Sequence, residues 1–189
     1  MATDIEICSA ALVLLGASPI ASLTEGTKQS TLCALLYPPA KREMLRKHVW
    51  NCAVKRVVLA PLDGAPTYGW SNWFSKPGDF IRLLDIGECG DDDYTFEGNR
   101  ILANQTSLRL RYVAEITEGM WDSSMVDVMI KRMAADLAYP VTKSASLAQL
   151  KAQEHMAALR EAKAIDGQET PPEEFGDSPF IQARSRGSY

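Results

Sequence analysis

Few residues in this sequence could act as a catalytic base. His48 and His155 are its two histidines, so a Ser/His/Asp triad would have to use one of them. Both lie in segments predicted to be helical, and the GxSxG motif that exposes the nucleophile of α/β-hydrolases does not occur. We therefore interpret both histidines as structural residues, and we assign no catalytic residue.

The sequence also predicts no metal site and no cofactor. Its four cysteines contain no CxxC pair and have only two histidines to complete a zinc set: Cys8, Cys33, Cys52 and Cys89. The acidic run at 91–93 lacks the spaced ligands of an EF-hand and is interpreted as a turn between strands. Neither GxxxxGK[ST] nor GxGxxG is present, which argues against a nucleotide cofactor.

The tryptophans leave two interpretations open. Trp50, Trp70, Trp73 and Trp121 could stack on bases or sugars, but aromatic residues beside strands are usually part of the core. In the Trp70–Trp73 loop they could instead form a contact between subunits. The sequence does not separate these possibilities.

Composition excludes several classes of protein. The chain has 189 residues, 46% of them apolar and 23% charged, which fits one globular domain. Its 24 acidic and 20 basic residues give a net charge of -4, which argues against tight nucleic-acid binding. No apolar run reaches the roughly 20 residues of a membrane span. We expect the chain to have no membrane anchor and to fold in the cytoplasm.

Helical patterns occupy both ends of a predicted domain at 1–167. They lie at about 4–16, 28–48, 124–139 and 144–166. Thr3 and Glu6 form a capping box at the first of them. Pro38 and Pro39 stand in the second and are expected to kink or split it.

Within a β insertion at about 53–113, short strands are predicted at 80–86, 94–97, 100–103 and 107–113. The Gly98-Asn99 pair is a hairpin turn signal, and Gln105-Thr106 is a second candidate turn. Residues 108–113 alternate strictly, which places Arg109 and Arg111 on one face and predicts a wet or interfacial side. The predicted fold class is α+β, a four-helix bundle with an inserted small antiparallel β region and an extended C-terminal tail.

The tail at 168–189 contains prolines, acidic residues and a few aromatic residues, and little of it can pack alone. It is either a frayed terminus or a segment that becomes ordered on a partner. In the second case Phe180 and Ile181 would be the anchors.

Several strings in the chain resemble the bacteriophage head-to-tail adaptor (connector) family, of the tail tubular protein A type. They include AALVLLGASPI at 10–20, RKHVWN at 46–51, EGNRILAN at 97–104 and ADLAYPVT at 135–142. Further matches lie at 22–23, 37–45, 83–86 and 108–113, so the resemblance covers nearly the whole chain.

The resemblance implies a structural virion protein that forms a ring, expected to be a dodecamer, between the portal protein and the distal tail or nozzle protein. DNA would pass through its channel during genome ejection without specific binding. The tail would dock into the portal through Phe175, Pro179, Phe180, Ile181 and Arg184. Contacts between subunits, or with the distal tail, are expected at Trp70, Trp73, Arg109 and Arg111.

Two other classes of function stay open. One is a tail-associated hydrolase of cell-wall or capsular polymer, which would need a histidine or a pair of acids for cleavage. The other is a host interaction module without portal affinity. The absence of recognisable chemistry favours the structural adaptor over the hydrolase.

Overall fold

A computed structural model describes residues 2–87 and 93–169. Within these residues the chain forms four α-helices and six β-strands, with two 3₁₀ turns at Asn51–Ala53 and Glu118–Met120. The helices are α1 (Asp4–Val13), α2 (Lys28–Lys47), α3 (Ser123–Thr142) and α4 (Ala145–Glu169). The strands are β1 (Val54–Leu59), β2 (Asn72–Ser75), β3 (Phe80–Gly87), β4 (Tyr94–Glu97), β5 (Arg100–Ala103) and β6 (Leu108–Ala114).

Local side-chain caps explain where the helices begin. At α1 the Thr3 hydroxyl accepts from the Glu6 amide at 3.2 Å, and the Glu6 carboxylate accepts from the Thr3 amide at 2.8 Å. At α3 the cap is Asp122, whose Oδ1 accepts from the Met125 amide at 2.6 Å. Helix α3 ends at Lys143, which adopts a left-handed conformation with φ of 60° and separates α3 from α4.

Helix α2 runs unbroken through Pro38 and Pro39, so the expected split is wrong. Each proline lacks an amide proton, which leaves the carbonyls of Ala34 and Leu35 without their usual helical partners. Both of these residues and both prolines lie on the exposed side of the helix, where water can bind the carbonyls. The helix therefore continues because the lost hydrogen bonds face solvent.

The strands form two antiparallel three-stranded sheets, in the orders β1-β6-β3 and β2-β5-β4. A turn at Gly98-Asn99 joins β4 to β5, as the sequence predicts, with Gly98 at a φ of 54°. Gln105-Thr106 is not a hairpin turn, because it joins β5 of one sheet to β6 of the other. The sheets meet through aromatic rings, with the Phe80 and Phe96 centroids 6.1 Å apart.

The layout is α+β, but the predicted four-helix bundle is wrong. Helix α3 packs against α1, α2 and α4, whereas α4 packs mainly against α3. The fully buried positions of α4 are two alanines and one aspartate, Ala158, Ala162 and Asp166. With only two small apolar side chains fully buried, α4 packs on one neighbouring helix and does not close a bundle.

The buried side chains form one hydrophobic cluster that joins the helices to both sheets. Trp50 and Phe74 are its largest fully buried members, and the Trp50 indole donates to the carbonyl of Met44 at 3.1 Å. No helix in the described part of the chain is long and apolar enough to cross a membrane.

Candidate functional site

The residues predicted to make intersubunit or distal tail contacts lie in two places. Arg109 and Arg111 are on β6, at the centre of the β1-β6-β3 sheet. Trp73 is on β2 of the other sheet, and Trp70 lies in the loop before it. The portal-docking residues predicted in the tail all lie outside the described residues: Phe175, Pro179, Phe180, Ile181 and Arg184.

An arginine face covers one side of the β1-β6-β3 sheet. Across the three strands Arg56 pairs with Arg111, which pairs with Asp85. In the next row on the same face Val58 pairs with Arg109, and Val58 is 66% exposed. These residues surround a hollow of about 400 Å³, completed by Val57, Gly87 and Leu110.

Positive charge is concentrated on this arginine face. Arg56 lies directly opposite Arg111, a cross-strand arrangement of like charges that costs folding free energy. The Nε atom of Arg111 is buried and has no hydrogen-bond partner among the described residues. A partner molecule that brings carboxylates would offset the repulsion between the two arginines.

Sequence reasoning found two of these three arginines and missed Arg56. Alternation within residues 108–113 places Arg109 and Arg111 on one face without any knowledge of the fold. Arg56 joins them only because β1 pairs with β6 in one particular register, across more than fifty residues of sequence. No local pattern encodes that register.

A pocket of about 200 Å³ lies beside β2 and is lined by aromatic residues. Its walls include Tyr68, Trp70 and Trp73. The guanidinium of Arg100 stacks 3.9 Å from the centre of the Trp73 ring, and the Trp73 indole donates to the carbonyl of Asp63 at 3.2 Å. The structure therefore holds Trp73 in a fixed orientation at the surface and outside the core.

Both histidines have structural partners. The Nε2 of His48 lies 2.9 Å from the buried carboxylate of Asp166, and its ring meets Trp50 edge to face at 4.7 Å. His155 hydrogen-bonds to the backbone of Val128, and burial, with nearby Arg132, lowers its pKa. Among the described residues, no hydrogen bond joins either histidine to a serine, threonine or cysteine.

The described cysteines are buried or half-buried thiols. Cys8 of α1 and Cys33 of α2 hydrogen-bond to each other, and that bond together with burial raises the pKa of Cys8. Burial raises the pKa of Cys52 to about 11, and its thiol lies 3.7 Å from the sulfur of Met125. At neutral pH a thiol with such a pKa stays protonated and is a poor nucleophile. Cys89 lies outside the described residues.

Within residues 2–87 and 93–169, no group of three or more histidine, cysteine, aspartate or glutamate side chains is placed to hold a metal ion. The acidic run at 91–93 falls largely outside this part of the chain.

No protein-family model matches the chain, and no curated protein matches it significantly.

Proposed function

We propose that this chain is a structural virion protein, a head-to-tail adaptor that forms a ring between a portal and a tail and encloses a channel for DNA. The proposal starts from the strings that resemble the adaptor family, such as AALVLLGASPI and EGNRILAN. A dodecamer would match the symmetry expected of the portal. The distal tail or nozzle protein would bind the opposite end of the ring.

The observation that carries the proposal is the arginine face. Arginine is enriched in protein interfaces because its planar guanidinium forms paired hydrogen bonds with carboxylates. Arg56, Arg109 and Arg111 share one exposed surface around a hollow of about 400 Å³, with Asp85 the single acid among the described residues that line it. A surface of this kind is suited to a second protein surface that supplies acidic side chains.

Exposed apolar side chains on the helices give further support. Val13 and Leu35 are largely exposed on α1 and α2, and Leu150 and Met156 are about half exposed on α4. A ring built from identical subunits needs two different surfaces on each subunit, because each contact is head to tail. The arginine face and the exposed apolar side chains of the helices provide two different surfaces on each subunit, each of which needs its own complementary partner surface.

The contacts of the histidines weigh against the polymer hydrolase. A hydrolase that used His48 would need a nucleophile beside that ring in addition to the carboxylate of Asp166, and no described serine, threonine or cysteine hydrogen-bonds to the ring. His155 is half-buried between α3 and α4, and its lowered pKa reflects that burial. The contact with Asp166 of α4 accounts for His48, whereas the buried Nδ1 of His155 has no hydrogen-bond partner among the described residues.

The test is cryo-electron microscopy of the full chain mixed with its cognate portal. We expect an additional ring of density below the portal. The paired control is a chain that ends after Glu169, which keeps all of α4 and removes the predicted docking tail. We expect this shorter chain to fold and to lose the portal ring.

Other results would overturn parts of the proposal. No additional density with the full chain would exclude the adaptor and favour the hydrolase or the host module. A ring formed equally well by the shorter chain would keep the adaptor but exclude portal docking by the tail.

A further inference from the structure

A second basic hollow, of about 340 Å³, lies between the end of α2 and strands β3 and β4. We call it the α2–β3 hollow. Three cationic side chains line it, Arg46, Lys76 and Arg82. Its other lining residues are apolar: Phe80, Ile81, Leu83 and Phe96. It is distinct from the arginine face, because the two hollows share no lining residue.

Each of the three cations is held by a backbone carbonyl instead of a carboxylate. Arg46 donates to the carbonyl of Ile81 at 2.9 Å, and Arg82 donates to the carbonyl of Arg46 at 3.2 Å. Lys76 donates to the carbonyl of Gly98 at 2.7 Å. The Arg46 carbonyl belongs to the last turn of α2, where carbonyls lack helical partners, so Arg82 also caps the helix. These bonds position the cations, and no carboxylate in the described part of the chain pairs with them.

The hollow is positively charged, whereas the protein as a whole has a net negative charge. Acidic residues outnumber basic ones by 24 to 20 in the whole chain, yet the described residues that line the hollow include three cations and no acid. Each arginine uses one terminal nitrogen for its carbonyl, so most of its five N–H donors remain for another acceptor. Grouping like charges without a counter-ion costs free energy, which an anionic ligand would recover.

Two aromatic rings form the apolar wall of the hollow. The Lys76 ammonium lies 4.6 Å from the centre of the Phe96 ring and 5.8 Å from that of Phe80. Phe96 is 38% exposed, so part of its ring is open to a ligand. Cations beside an open aromatic ring are the combination by which proteins bind a phosphate and stack the attached base.

We propose that the α2–β3 hollow binds a nucleotide through its phosphate, which Arg46, Lys76 and Arg82 would hold while the base packs on Phe96. The nucleotide would be either a free mononucleotide or a unit of a nucleic-acid strand. Arginine forms paired hydrogen bonds with phosphate oxygens, and lysine adds a point charge. The site does not depend on ring formation. A basic site is also compatible with the acidic net charge of the chain, because the net charge is a sum over all residues and the three cations are clustered in one place.

The test is calorimetric titration of the full chain at low salt with AMP, adenosine and inorganic phosphate. We expect AMP to bind more tightly than either fragment, and its affinity to fall as salt is added. Equal affinities for AMP and adenosine would overturn the proposal, because the phosphate would then contribute nothing. Undetectable binding of AMP at millimolar concentration would overturn it as well.

Substitutions locate the binding. We expect Lys76→Gln and Arg82→Gln each to weaken AMP binding about tenfold, which is the usual effect of losing one charge-assisted hydrogen bond. Arg42→Gln is the matched control, because Arg42 lies one turn before Arg46 on α2 and pairs with Glu115 outside the hollow. Equal loss of affinity in Arg42→Gln would exclude this hollow. Phe96→Ala should weaken AMP but not inorganic phosphate.

The source of the nucleotide is then found by titrating a short single-stranded oligodeoxynucleotide at the same nucleotide concentration. Tighter binding than AMP, lost in Lys76→Gln, would identify a nucleic-acid strand as the ligand. Binding no tighter than AMP would identify the free nucleotide. Thermal melting of each variant confirms that it is folded, and Lys76→Gln alone keeps the test valid if Arg82→Gln loses its helix cap.

Discussion

The carboxylate of Asp166 lies 2.9 Å from the Nε2 of His48, although 118 residues of sequence separate them. Asp166 is 4% exposed and also accepts from the backbone amide of Asn51 at 3.0 Å through its other oxygen. The Asn51 side chain donates to the Asp166 carbonyl at 2.7 Å. These contacts attach the end of α4 to the junction between α2 and β1, so they fix the position of the last turns of α4 on the domain.

We predict that Asp166→Ala lowers the free energy of unfolding by about 1–3 kcal/mol, because the substitution leaves the Asn51 amide and the His48 ring without their acceptor. Urea denaturation followed by circular dichroism measures the change. Glu161→Ala is the control, since Glu161 is exposed on the same helix. An equal effect in both variants would show that the Asp166 contacts add nothing to stability.

We predict that Arg111→Gln weakens assembly of the ring with little effect on the stability of the folded chain. Removing one of two directly opposed arginines relieves repulsion with Arg56 but also removes the opposite-charge pair with Asp85, so the two effects offset and the free energy of unfolding should change by less than about 1 kcal/mol. The portal-dependent ring should become weaker. The measurements are thermal melting and binding to the portal, with Arg160→Gln on the exposed surface of α4 as the control. A ring of unchanged affinity would remove the arginine face from the interface.

We predict that part of the stability of the protein depends on the charge of Glu118. Burial alone would raise the pKa of Glu118, but hydrogen bonds from Lys41 and Tyr37, each 2.9 Å long, outweigh it and lower the pKa below 4.5. The folded state therefore binds protons less readily than the unfolded state. The stabilisation is complete at a pH above the pKa that Glu118 has in the unfolded chain. It is lost as the pH falls through the lower pKa that Glu118 has in the folded chain.

The measurement is the free energy of unfolding of the unmodified chain and of Glu118→Gln at about pH 7 and about pH 3.5. The unmodified chain should be the more stable at neutral pH, and its advantage should shrink in acid. An advantage that is constant across this range would mean that the charge of Glu118 does not contribute.

We predict that Pro39→Ala stabilises the protein. Proline inside a helix costs about 3 kcal/mol relative to alanine, and part of that cost is offset because proline also restricts the unfolded chain. A gain of about 1–2 kcal/mol in the free energy of unfolding is therefore expected, and denaturant titration measures it. Pro61→Ala, in an exposed segment outside the helices, should show no gain. A loss of stability in Pro39→Ala would mean that the ring of Pro39 makes contacts that outweigh its helical cost.

Features that depend on neighbouring residues were predictable. The β4-β5 hairpin at Tyr94–Glu97 and Arg100–Ala103 has the expected bounds, because Gly98-Asn99 specifies the turn and the flanking residues the strands. The capping box of Thr3 and Glu6 is also present. In each case the interacting groups lie within a few positions of each other in the sequence.

Features that depend on distant contacts were not predictable. Strand β2 was missed because Asn72–Ser75 follows a segment rich in proline and glycine and pairs with β5 thirty residues later. The prediction of a four-helix bundle was wrong because the helical pattern in the sequence of α4 does not determine how many other helices α4 contacts. The contact of Asp166 with His48, and the position of Arg56 on the arginine face, both arise from tertiary packing.

The packing of α1 and α2 against α3 has a consequence for synthesis on the ribosome. The apolar faces of the first 47 residues are covered by a helix that begins at Ser123 and ends at Thr142. At the usual elongation rates, the 95 residues between Lys47 and Thr142 take roughly 5–20 seconds to be made. Until α3 is made, the helix that covers the side of the domain holding Leu12, Tyr37 and Leu45 is missing, so we expect the nascent N-terminal helices to present apolar surface of the kind that chaperones bind.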